Sequence, residues 1–409
     1  MAATDAWPPA QRNPGVATMR VLVLTDDLVG PVMAGSALRA WELSRVLLAA
    51  NHEVVLSAAV GSSHPEGHGP PVVTRPPRRW ADAVLAPPWC LPGRAFFGNR
   101  LLVIDGVTPL LAELAASPPT REIVHRLRTA SARLPLVASR ADAILVASDR
   151  QASWWSSQLG ERHDVPLIHA PFGIPEEDPE PDVDSIDDVP AGWSVILWWG
   201  GVWPWLDLDT LLAARARLGS AAISVVVPTA NRPGGGRAHM TTDDLGAAAT
   251  RHGLQKPAVV PLESWIPYAD RHRILNRASV LAVLHRPGME SDLSFRTRAL
   301  DGVWAAVPLL LSEGGAAADI ANSKGWGAVV PTGDAKLAAA ALDLLLGDRS
   351  QERCRTALVR DRAEWRWSAV TQPLVEVLPE LPRCDRASLA PAALRAAAAL
   401  AGHPQGGVT

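Results

Sequence analysis

The chain has 409 residues, of which 48% are apolar and 20% charged, and its formal net charge is −3. This length exceeds what one hydrophobic core usually organises, so it predicts two domains of an ordinary globular protein. The slightly negative charge and the lack of Lys/Arg-rich runs argue against a nucleic-acid partner, and three widely spaced cysteines without a CxxC pair argue against a disulfide framework and a cysteine zinc site.

No apolar stretch approaches the ~18 residues that span a bilayer, so no integral membrane segment is expected. The opening sequence MAATDAWPPAQRNPG lacks the basic start and apolar centre of a signal peptide. We expect a cytoplasmic protein, and leave open a peripheral attachment at the inner face of the membrane.

The first third of the chain alternates between short apolar runs and helical patterns. Residues Met19–Thr25 form a run typical of a strand buried on both faces, and a loop with Gly30 and Gly35 follows. A helix is predicted from Ser36, which is interpreted as its N-cap. Further strands are predicted at His52–Leu56, Leu101–Asp105 and Ala143–Ala147. This order is the repeating unit of a doubly wound parallel sheet.

The segment Phe172–Pro190 is dense in Pro and Asp and has no apolar periodicity, which predicts an interdomain linker. Beyond it the alternation resumes, and Leu337–Leu346 and the region of Arg353–Trp367 are predicted to be helical. Strands of the second domain are predicted at Ser194–Trp198, Ile223–Val227, Ala258–Val260, Val280–Leu284 and Val307–Leu311.

The predicted organisation therefore has two α/β domains. The divisions are 1–175 for the first Rossmann-like domain, expected on the acceptor side, 176–192 for the acidic linker, 193–352 for the second Rossmann-like domain, expected on the donor side, 353–383 for a C-terminal helical segment, and 384–409 for an Ala-rich tail. The helical segment is a candidate to pack back on the first domain. In the tail, a helix is predicted at Ser388–Ala401, followed by a disordered end.

In an open parallel sheet, ligands bind beyond the carboxyl ends of the strands, so the loops after the strands are searched for chemistry. The first such loop runs from Gly30 to the helix that contains Arg39 and Glu42. Asp105, at the end of a later strand, is a further candidate of the first domain. Gly35 before a helix N-terminus favours an acceptor or phosphate loop. The alternative is an ordinary turn with Arg39 and Glu42 as a surface pair.

The second loop, Trp198–Asp209, is rich in tryptophan. Gly200 and Gly201 precede a helix predicted to begin near Asp207 or Asp209, an arrangement that cradles a diphosphate. Trp203 is a candidate to stack on a nucleobase or a sugar. The alternative is that at least two of these tryptophans fill the core between the domains.

The third loop, His285–Asp301, is the strongest functional candidate of the four. Arg296 and Arg298 are candidates to neutralise a diphosphate leaving group, and His285 and Glu290 are grouped with them as catalytic candidates. The alternative is a salt-bridged helix start. Candidates for donor binding in this loop are Ser294, Phe295 and Asp301.

The fourth loop contains Gly314 and Gly315, which lead into a helix predicted to start near Ala316. It is interpreted either as a further donor contact or as a plain turn.

Three motifs resemble those of a known family. Met33–Gly35 (MAG), Trp199–Trp203 (WGGVW) and Ser294–Asp301 (SFRTRALD), the last followed by Trp304, Ala305 and Pro308, resemble a bacterial subgroup of the retaining glycosyltransferases of family 4. The resemblance covers most of the chain. It implies a GT-B fold, with two Rossmann-like domains facing across a cleft.

The resemblance also implies chemistry. The family's Glu-x7-Glu motif ends on the acid that binds the donor ribose, and Asp301 lies at that position. Leu293 occupies the first position, so Glu290 or Asp292 would have to supply the other carboxylate. The family's usual basic pair after the first strand of the second domain is missing, and Arg296 and Arg298 are the candidates to replace it.

By resemblance the reaction is sugar transfer with retention of configuration. It uses no cofactor, no metal and no enzymic nucleophile; the partners are a UDP-, GDP- or dTDP-sugar and an unidentified glycan, lipid-linked or small-molecule acceptor. The alternatives are a catalytically inactive sugar-nucleotide-binding or scaffold protein of this fold, and a sugar-nucleotide 2-epimerase.

Overall fold

The computed structural model describes residues 18–65, 67–77, 79–91, 99–231, 233 and 240–383. These residues form two compact units. Within the described ranges, the first unit comprises 18–30, 35–171 and 370–383, and the second comprises 31–34 and 172–369. The Ala-rich helix predicted at Ser388–Ala401 and the predicted disordered end lie outside the described residues.

The described part of the first unit contains a seven-stranded, all-parallel sheet in the order β3-β2-β1-β4-β5-β6-β7. The strands predicted at β1, β2, β5 and β6 are confirmed. The sequence pattern had not indicated β3, β4 and β7, of which β3 and β7 have only two and three residues. The strands are β1 (Arg20–Leu24), β2 (Glu53–Ser57), β3 (Val72–Val73), β4 (Ala83–Ala86), β5 (Leu101–Asp105), β6 (Ala143–Val146) and β7 (Leu167–His169).

The helices of this unit are α1 (Gly35–Ala49), α2 (Leu110–Ala116), α3 (Arg121–Arg140) and α4 (Asp149–Leu159). The assignment of Ser36 as the N-cap of α1 was wrong. The helix begins one residue earlier, and the Ser36 hydroxyl donates to the Asp27 carboxylate after β1. As the second residue of the helix, Ser36 lies beyond the N-cap position.

The second unit, as far as it is described, contains a six-stranded parallel sheet in the order β10-β9-β8-β11-β12-β13. Five strands match the predictions. The sixth, β13, begins at Gly327, where a Cβ would lie 1.9 Å from the Leu309 carbonyl oxygen, so this strand approaches β12 too closely for any side chain. The strands are β8 (Ser194–Trp198), β9 (Ile223–Pro228), β10 (Val259–Leu262), β11 (Val280–Val283), β12 (Leu309–Ser312) and β13 (Gly327–Val330).

Helices follow the strands as expected, and α5 begins after Asp207, whose side chain accepts from the N–H of Thr210. The predicted helix in the region of Arg353–Trp367 is interrupted by a short 3-10 turn at Arg362–Trp365. Among the described helices, none is long and apolar enough to cross a membrane. The helices are α5 (Leu208–Arg215), α6 (Thr242–Arg251), α7 (Arg271–Leu275), α8 (Met289–Leu293), α9 (Arg298–Ala305), α10 (Ala316–Lys324), α11 (Ala335–Leu345), α12 (Asp348–Asp361) and α13 (Trp367–Val377).

Each sheet reverses its winding beside its first strand. In the first unit, β2 lies on one side of β1 and β4 on the other; in the second, β9 lies on one side of β8 and β11 on the other. In open α/β sheets, the crevice outside the carboxyl ends of the strands at such a switch point is where ligands bind. The loops after β8 and β11 are therefore the first place to look for a site in the second unit.

Candidate functional site

Three of the four loops singled out in the sequence meet at the carboxyl edge of the second sheet. The loop with Gly200 and Gly201 follows β8, the loop from His285 follows β11, and the loop with Gly314 and Gly315 follows β12. These three strands are neighbours in the sheet. Their loops contact one another through the side chains described below.

Arg298 joins the second and third loops. It is the first residue of α9, and its Nη2 donates to the Gly201 carbonyl oxygen at 2.7 Å. A Cβ on Gly200, whose φ is +78°, would lie 3.1 Å from the Arg298 Nε, so the glycine makes room for the guanidinium. Burial lowers the pKa of Arg298 to about 10, although the negative charges of Glu290 and Asp301 act in the opposite direction. Arg298 therefore remains a cation at neutral pH.

Arg296 joins the third and fourth loops, and its environment differs from that of Arg298. The residue is buried, with 2% of its surface exposed, and has a positive φ of 54°. Its guanidinium donates to the Ser312 carbonyl oxygen, to the Ser291 hydroxyl at 2.8 Å and to the Glu313 carbonyl oxygen at 2.9 Å. These contacts fasten the loop before α9 to the end of β12, which is a positioning role.

The fourth loop requires both glycines. Gly314 and Gly315 have φ values of +87° and +72°, and a Cβ on Gly315 would lie 2.6 Å from the Ser291 carbonyl oxygen. Gly315 is also the N-cap of α10 and supplies no side-chain oxygen to the first turn. A helix N-terminus without a side-chain cap presents N–H groups that suit an anion.

His285 and Glu290 form a buried pair beneath these loops. The His285 Nδ1 lies 2.9 Å from Glu290 Oε2, and both side chains are only 4% exposed. Burial lowers the pKa of His285 well below 6.5, and the charges of Arg296 and Arg298 lower it further. Burial raises the pKa of Glu290 from 4.5 to about 7, against the charge of Arg296 and a hydrogen bond from Ser294. His285 is thus neutral near pH 7, and Glu290 is half protonated there.

Asp301 lies on α9, one turn after Arg298. Its Oδ2 accepts from the indole Nε1 of Trp199 at 2.9 Å, and its Oδ1 accepts from Nε of Arg271 at 3.0 Å. Neither Trp199 nor Arg271 was a sequence candidate, because they lie 102 and 30 residues from Asp301 in the chain. Each carboxylate oxygen retains a further lone pair for a ligand.

The aromatic candidates divide into core and surface. Phe295 is buried and packs against Trp365, with ring centroids 5.7 Å apart, and Trp198 is fully buried in the core of the second unit. Trp203 is partly exposed and stacks on Trp205, with centroids 5.6 Å apart and the planes 5° from parallel.

Ser294 is the C-cap of α8, and its hydroxyl accepts from the Arg296 N–H at 3.2 Å. It thereby shapes the turn between α8 and α9. Asp292 is exposed, while Leu293 is buried.

The candidates of the first unit form a buried polar cluster. Both oxygens of Asp105 accept from Arg39 Nε, at 2.9 and 2.8 Å, and the same guanidinium donates to the carbonyl oxygens of Ala170 and Pro171. Glu42 is buried beside Arg45, 3.3 Å away, so it does not form a surface pair with Arg39. The cluster ties α1 to the ends of β5 and β7.

Open space remains at the start of α1, since a Cβ on Gly35 would have no neighbour within 4 Å among the described residues. Nearby, at the switch point of the first sheet, Asp26 Oδ1 accepts from the Trp89 indole and from the Cys90 thiol, both at 3.2 Å. Burial, and next the charge of Asp26, raises the pKa of Cys90 well above its usual value. Trp89 follows β4, a strand that the sequence pattern had not indicated.

Comparison with known proteins gives a consistent picture of the fold. No protein-family model and no curated protein sequence matches the chain. Among solved structures, sucrose-phosphate synthase from Thermosynechococcus elongatus is similar over 88% of this chain and 98% of its own, with a TM-score of 0.66 and 14% identity.

Two further structures cover 89% of the chain each. The Anabaena protein HepE in complex with UDP-glucose has a TM-score of 0.62, 15% identity and coverage of 100% of its own chain. The UDP-forming α,α-trehalose-phosphate synthase of Burkholderia xenovorans has a TM-score of 0.59, 13% identity and coverage of 99%. These similarities confirm the predicted fold class, an α/β protein of two Rossmann-like domains with the GT-B architecture.

Proposed function

We propose that the chain is a glycosyltransferase, an enzyme of the EC 2.4 type, which moves a sugar from a nucleoside-diphosphate donor to an acceptor. The observation that carries the proposal is that Arg298, the Gly200–Gly201 loop and the uncapped N-terminus of α10 all lie at the carboxyl ends of the neighbouring strands β8, β11 and β12. A cation, glycine-lined backbone and a helix N-terminus are the groups that bind a diphosphate. Known proteins of the same fold support it, since HepE was solved with UDP-glucose and the trehalose-phosphate synthase forms UDP.

In this proposal the leaving diphosphate is stabilised by Arg298. When the bond between sugar and phosphate breaks, negative charge grows on the departing oxygens, and a preorganised cation in a partly dry site stabilises that charge strongly. Arg298 is held in place by the Gly201 carbonyl and needs no rearrangement. The N–H groups of Gly315 and of the first turn of α10 would share the same phosphate charge.

The other residues hold this arrangement or bind the nucleoside. Arg296 positions the fourth loop, and the buried His285–Glu290 pair supports the third. Asp301 is proposed to accept hydrogen bonds from the ribose hydroxyls, oriented by Trp199 and Arg271. Trp203, which is partly exposed and stacks on Trp205, is proposed to contact the base or the sugar with its ring.

The finer assignment rests on the resemblance to family 4 glycosyltransferases. We propose that the donor is a UDP-sugar and that the anomeric configuration is retained. No enzymic nucleophile is invoked; an oxygen of the leaving diphosphate would accept the proton of the acceptor hydroxyl as the new glycosidic bond forms. The acceptor is proposed to bind the first unit near Gly35, Asp26 and Trp89.

The test is a donor panel. The purified chain is incubated with UDP-, GDP-, ADP- and dTDP-sugars, with and without a mixture of sugar and sugar-phosphate acceptors, and the released nucleoside diphosphate is measured. We expect turnover of a UDP-sugar, with an α-linked donor giving an α-linked product by NMR. Arg298→Ala should lower kcat by about 100-fold or more, whereas Arg355→Ala, which removes an exposed arginine on α12, should not.

Three results would contradict the proposal. Tight donor binding without turnover indicates a non-catalytic binding protein. Inversion at C2 of the free donor indicates an epimerase. Failure to bind any nucleotide in the panel excludes the transferase and both of these alternatives.

A further inference from the structure

The acidic segment 176–192 is not uniformly surrounded by solvent. Glu180 and Asp182 lie against α7, where their side chains meet His272 of that helix. One ligand atom from each of the three side chains lies within 4.8 Å of the others. The two carboxylates are exposed, whereas His272 is buried, with 7% of its surface exposed.

His272 is oriented as metal-binding histidines are. Its Nδ1 lies 2.9 Å from the Ala269 carbonyl oxygen, so Nδ1 carries the proton and Nε2 presents a lone pair. Among the described residues, Nε2 is buried and has no hydrogen-bond partner. A backbone carbonyl on one ring nitrogen fixes the tautomer and raises the basicity of the other, which is the usual outer-shell arrangement at a metal. The ring is also held edge-on to Trp304, with centroids 6.3 Å apart.

The backbone that bears the two carboxylates is held in place by Asn276. This residue is the C-cap of α7 and lies one helical turn after His272. Its Nδ2 donates to the backbone carbonyl oxygens of both Glu180 and Asp182, at 2.7 and 3.0 Å. One side chain on the helix of His272 therefore fixes the backbone that bears the other two groups.

An ion pair does not account for the arrangement. Arg273 lies 3.8 Å from Asp182 and 3.6 Å from Asp184, and all three side chains are at least 40% exposed. Such long, exposed pairs are weak. Within the part of the chain that the structure describes, they also leave Glu180 and the buried nitrogen of His272 without a cationic partner or donor of their own.

We propose that Glu180, Asp182 and His272 bind a divalent first-row transition metal, with Zn²⁺ or Mn²⁺ as the chemical class. One imidazole nitrogen and two carboxylate oxygens are ligands that these ions share, whereas Mg²⁺ and Ca²⁺ prefer oxygen alone. Water would complete the coordination on the exposed side. The metal clips the acidic segment to α7 and takes no part in sugar transfer, so this inference is independent of the proposed function.

The test uses the full chain, treated with EDTA and then freed of it, and titrated with ZnCl2 or MnCl2 by calorimetry. We expect one site, lost in Glu180→Gln, Asp182→Asn and His272→Asn. Loss of an outer-shell partner weakens metal binding by roughly 10- to 100-fold, and Asn276→Ala should fall within that range. Removal of a metal ligand should weaken binding by more than this. A native-state ligand also raises Tm, so the metal should raise the Tm of the unmodified chain.

Asp184→Asn is the matched control, because it removes the same charge beside the same Arg273 and should leave the affinity unchanged. Circular dichroism without metal identifies any variant that fails to fold. Equal binding by all variants would assign the metal to other surface histidines and overturn the proposal. Absence of binding to the unmodified chain, or a preference for Mg²⁺, would overturn it as well.

Discussion

The imidazole of His285 and the carboxyl group of Glu290 are 2.9 Å apart, and almost no solvent reaches either. They lie five residues apart in sequence, His285 after β11 and Glu290 within α8. Because burial disfavours the charged form of both groups, the pKa of the acid rises and that of the base falls. The pair lies in the segment that also carries both arginines, and its protonation links the stability of the second unit to pH.

Glu290→Gln should change the pH dependence of stability in a defined direction. The pKa of the carboxyl group is 4.5 in its ordinary state and about 7 in the native protein. Between these values the unfolded chain releases the proton and the native protein keeps it, so stability falls as pH rises through this window. A shift of this size corresponds to about 3 kcal/mol, and the glutamine variant lacks this loss. Urea unfolding of both proteins at pH 4.5, 6, 7 and 8 measures it.

The lowered pKa of His285 acts in the opposite direction, since it makes the native protein more stable as pH rises toward 6.5. His285 is present in both proteins, so the difference between their unfolding free energies isolates Glu290. A difference that does not vary with pH would contradict the raised pKa.

Gly315→Ala should destabilise the second unit more than Gly325→Ala does. The two glycines flank α10 and have similar φ values, +72° and +76°. Gly325 has a ψ of 32° and lies in the left-handed helical region, where an alanine bears a strain of about 1–2 kcal/mol. Gly315 has a ψ of 157°, a combination that is essentially restricted to glycine and costs another residue about 1–3 kcal/mol. Only at Gly315 does the new Cβ meet a backbone oxygen, that of Ser291 at 2.6 Å, which adds an overpacking cost of about 1–3 kcal/mol. Equal midpoints in urea for the two variants would remove the steric argument for the glycine.

Arg39→Met should destabilise the first unit by about 3–5 kcal/mol, because it leaves the Asp105 carboxylate buried without the Arg39 guanidinium that pairs with it. Adding Asp105→Asn should restore part of the loss. The matched control is Arg20→Met, since Arg20 and Asp82 are also 2.8 Å apart but are 45% and 35% exposed. That variant should unfold at nearly the same urea concentration as the unmodified chain. Similar losses for the two arginines would indicate that burial does not decide the outcome.

The roles proposed for Arg298 and Asp301 can be separated with two ligands. If Arg298 contacts the diphosphate and Asp301 the ribose, Arg298→Ala weakens the binding of UDP and leaves the affinity for uridine unchanged. Asp301→Ala weakens the binding of both ligands. Losing a charge-assisted hydrogen bond costs about 1.5–3 kcal/mol, roughly a 10- to 100-fold increase in Kd. Calorimetry or competition binding measures the four affinities. Unchanged UDP affinity in both variants would contradict the site assignment.

The sheets, and the meeting of three candidate loops at the carboxyl edge of the second sheet, were largely predictable from sequence. Buried parallel strands such as Leu101–Asp105 and Ser194–Trp198 are continuous apolar runs, and ligand-binding loops follow such runs. The exceptions have local causes: β3 has two residues, and β13 begins with a glycine required by the close approach of Leu309.

The different contacts of the residues within the candidate site were not predictable from sequence. Arg296 and Arg298 are two residues apart and look alike in sequence, but the positive φ of Arg296 turns its guanidinium toward the end of β12, while Arg298 contacts Gly201. Partners distant in the chain, such as Trp199 and Arg271 at Asp301, depend on the tertiary fold. No local pattern indicates them.

Within the described ranges, the first unit consists of residues 18–30 and 35–171 and then receives residues 370–383 from beyond the second unit. During synthesis, its sheet can form long before α13 leaves the ribosome. The buried side chains of Leu374 in α13 and of Leu378 directly after it arrive only after nearly 200 further residues have been made. Until then the first unit lacks the packing of this segment, and a chain truncated near residue 365 would lack it permanently.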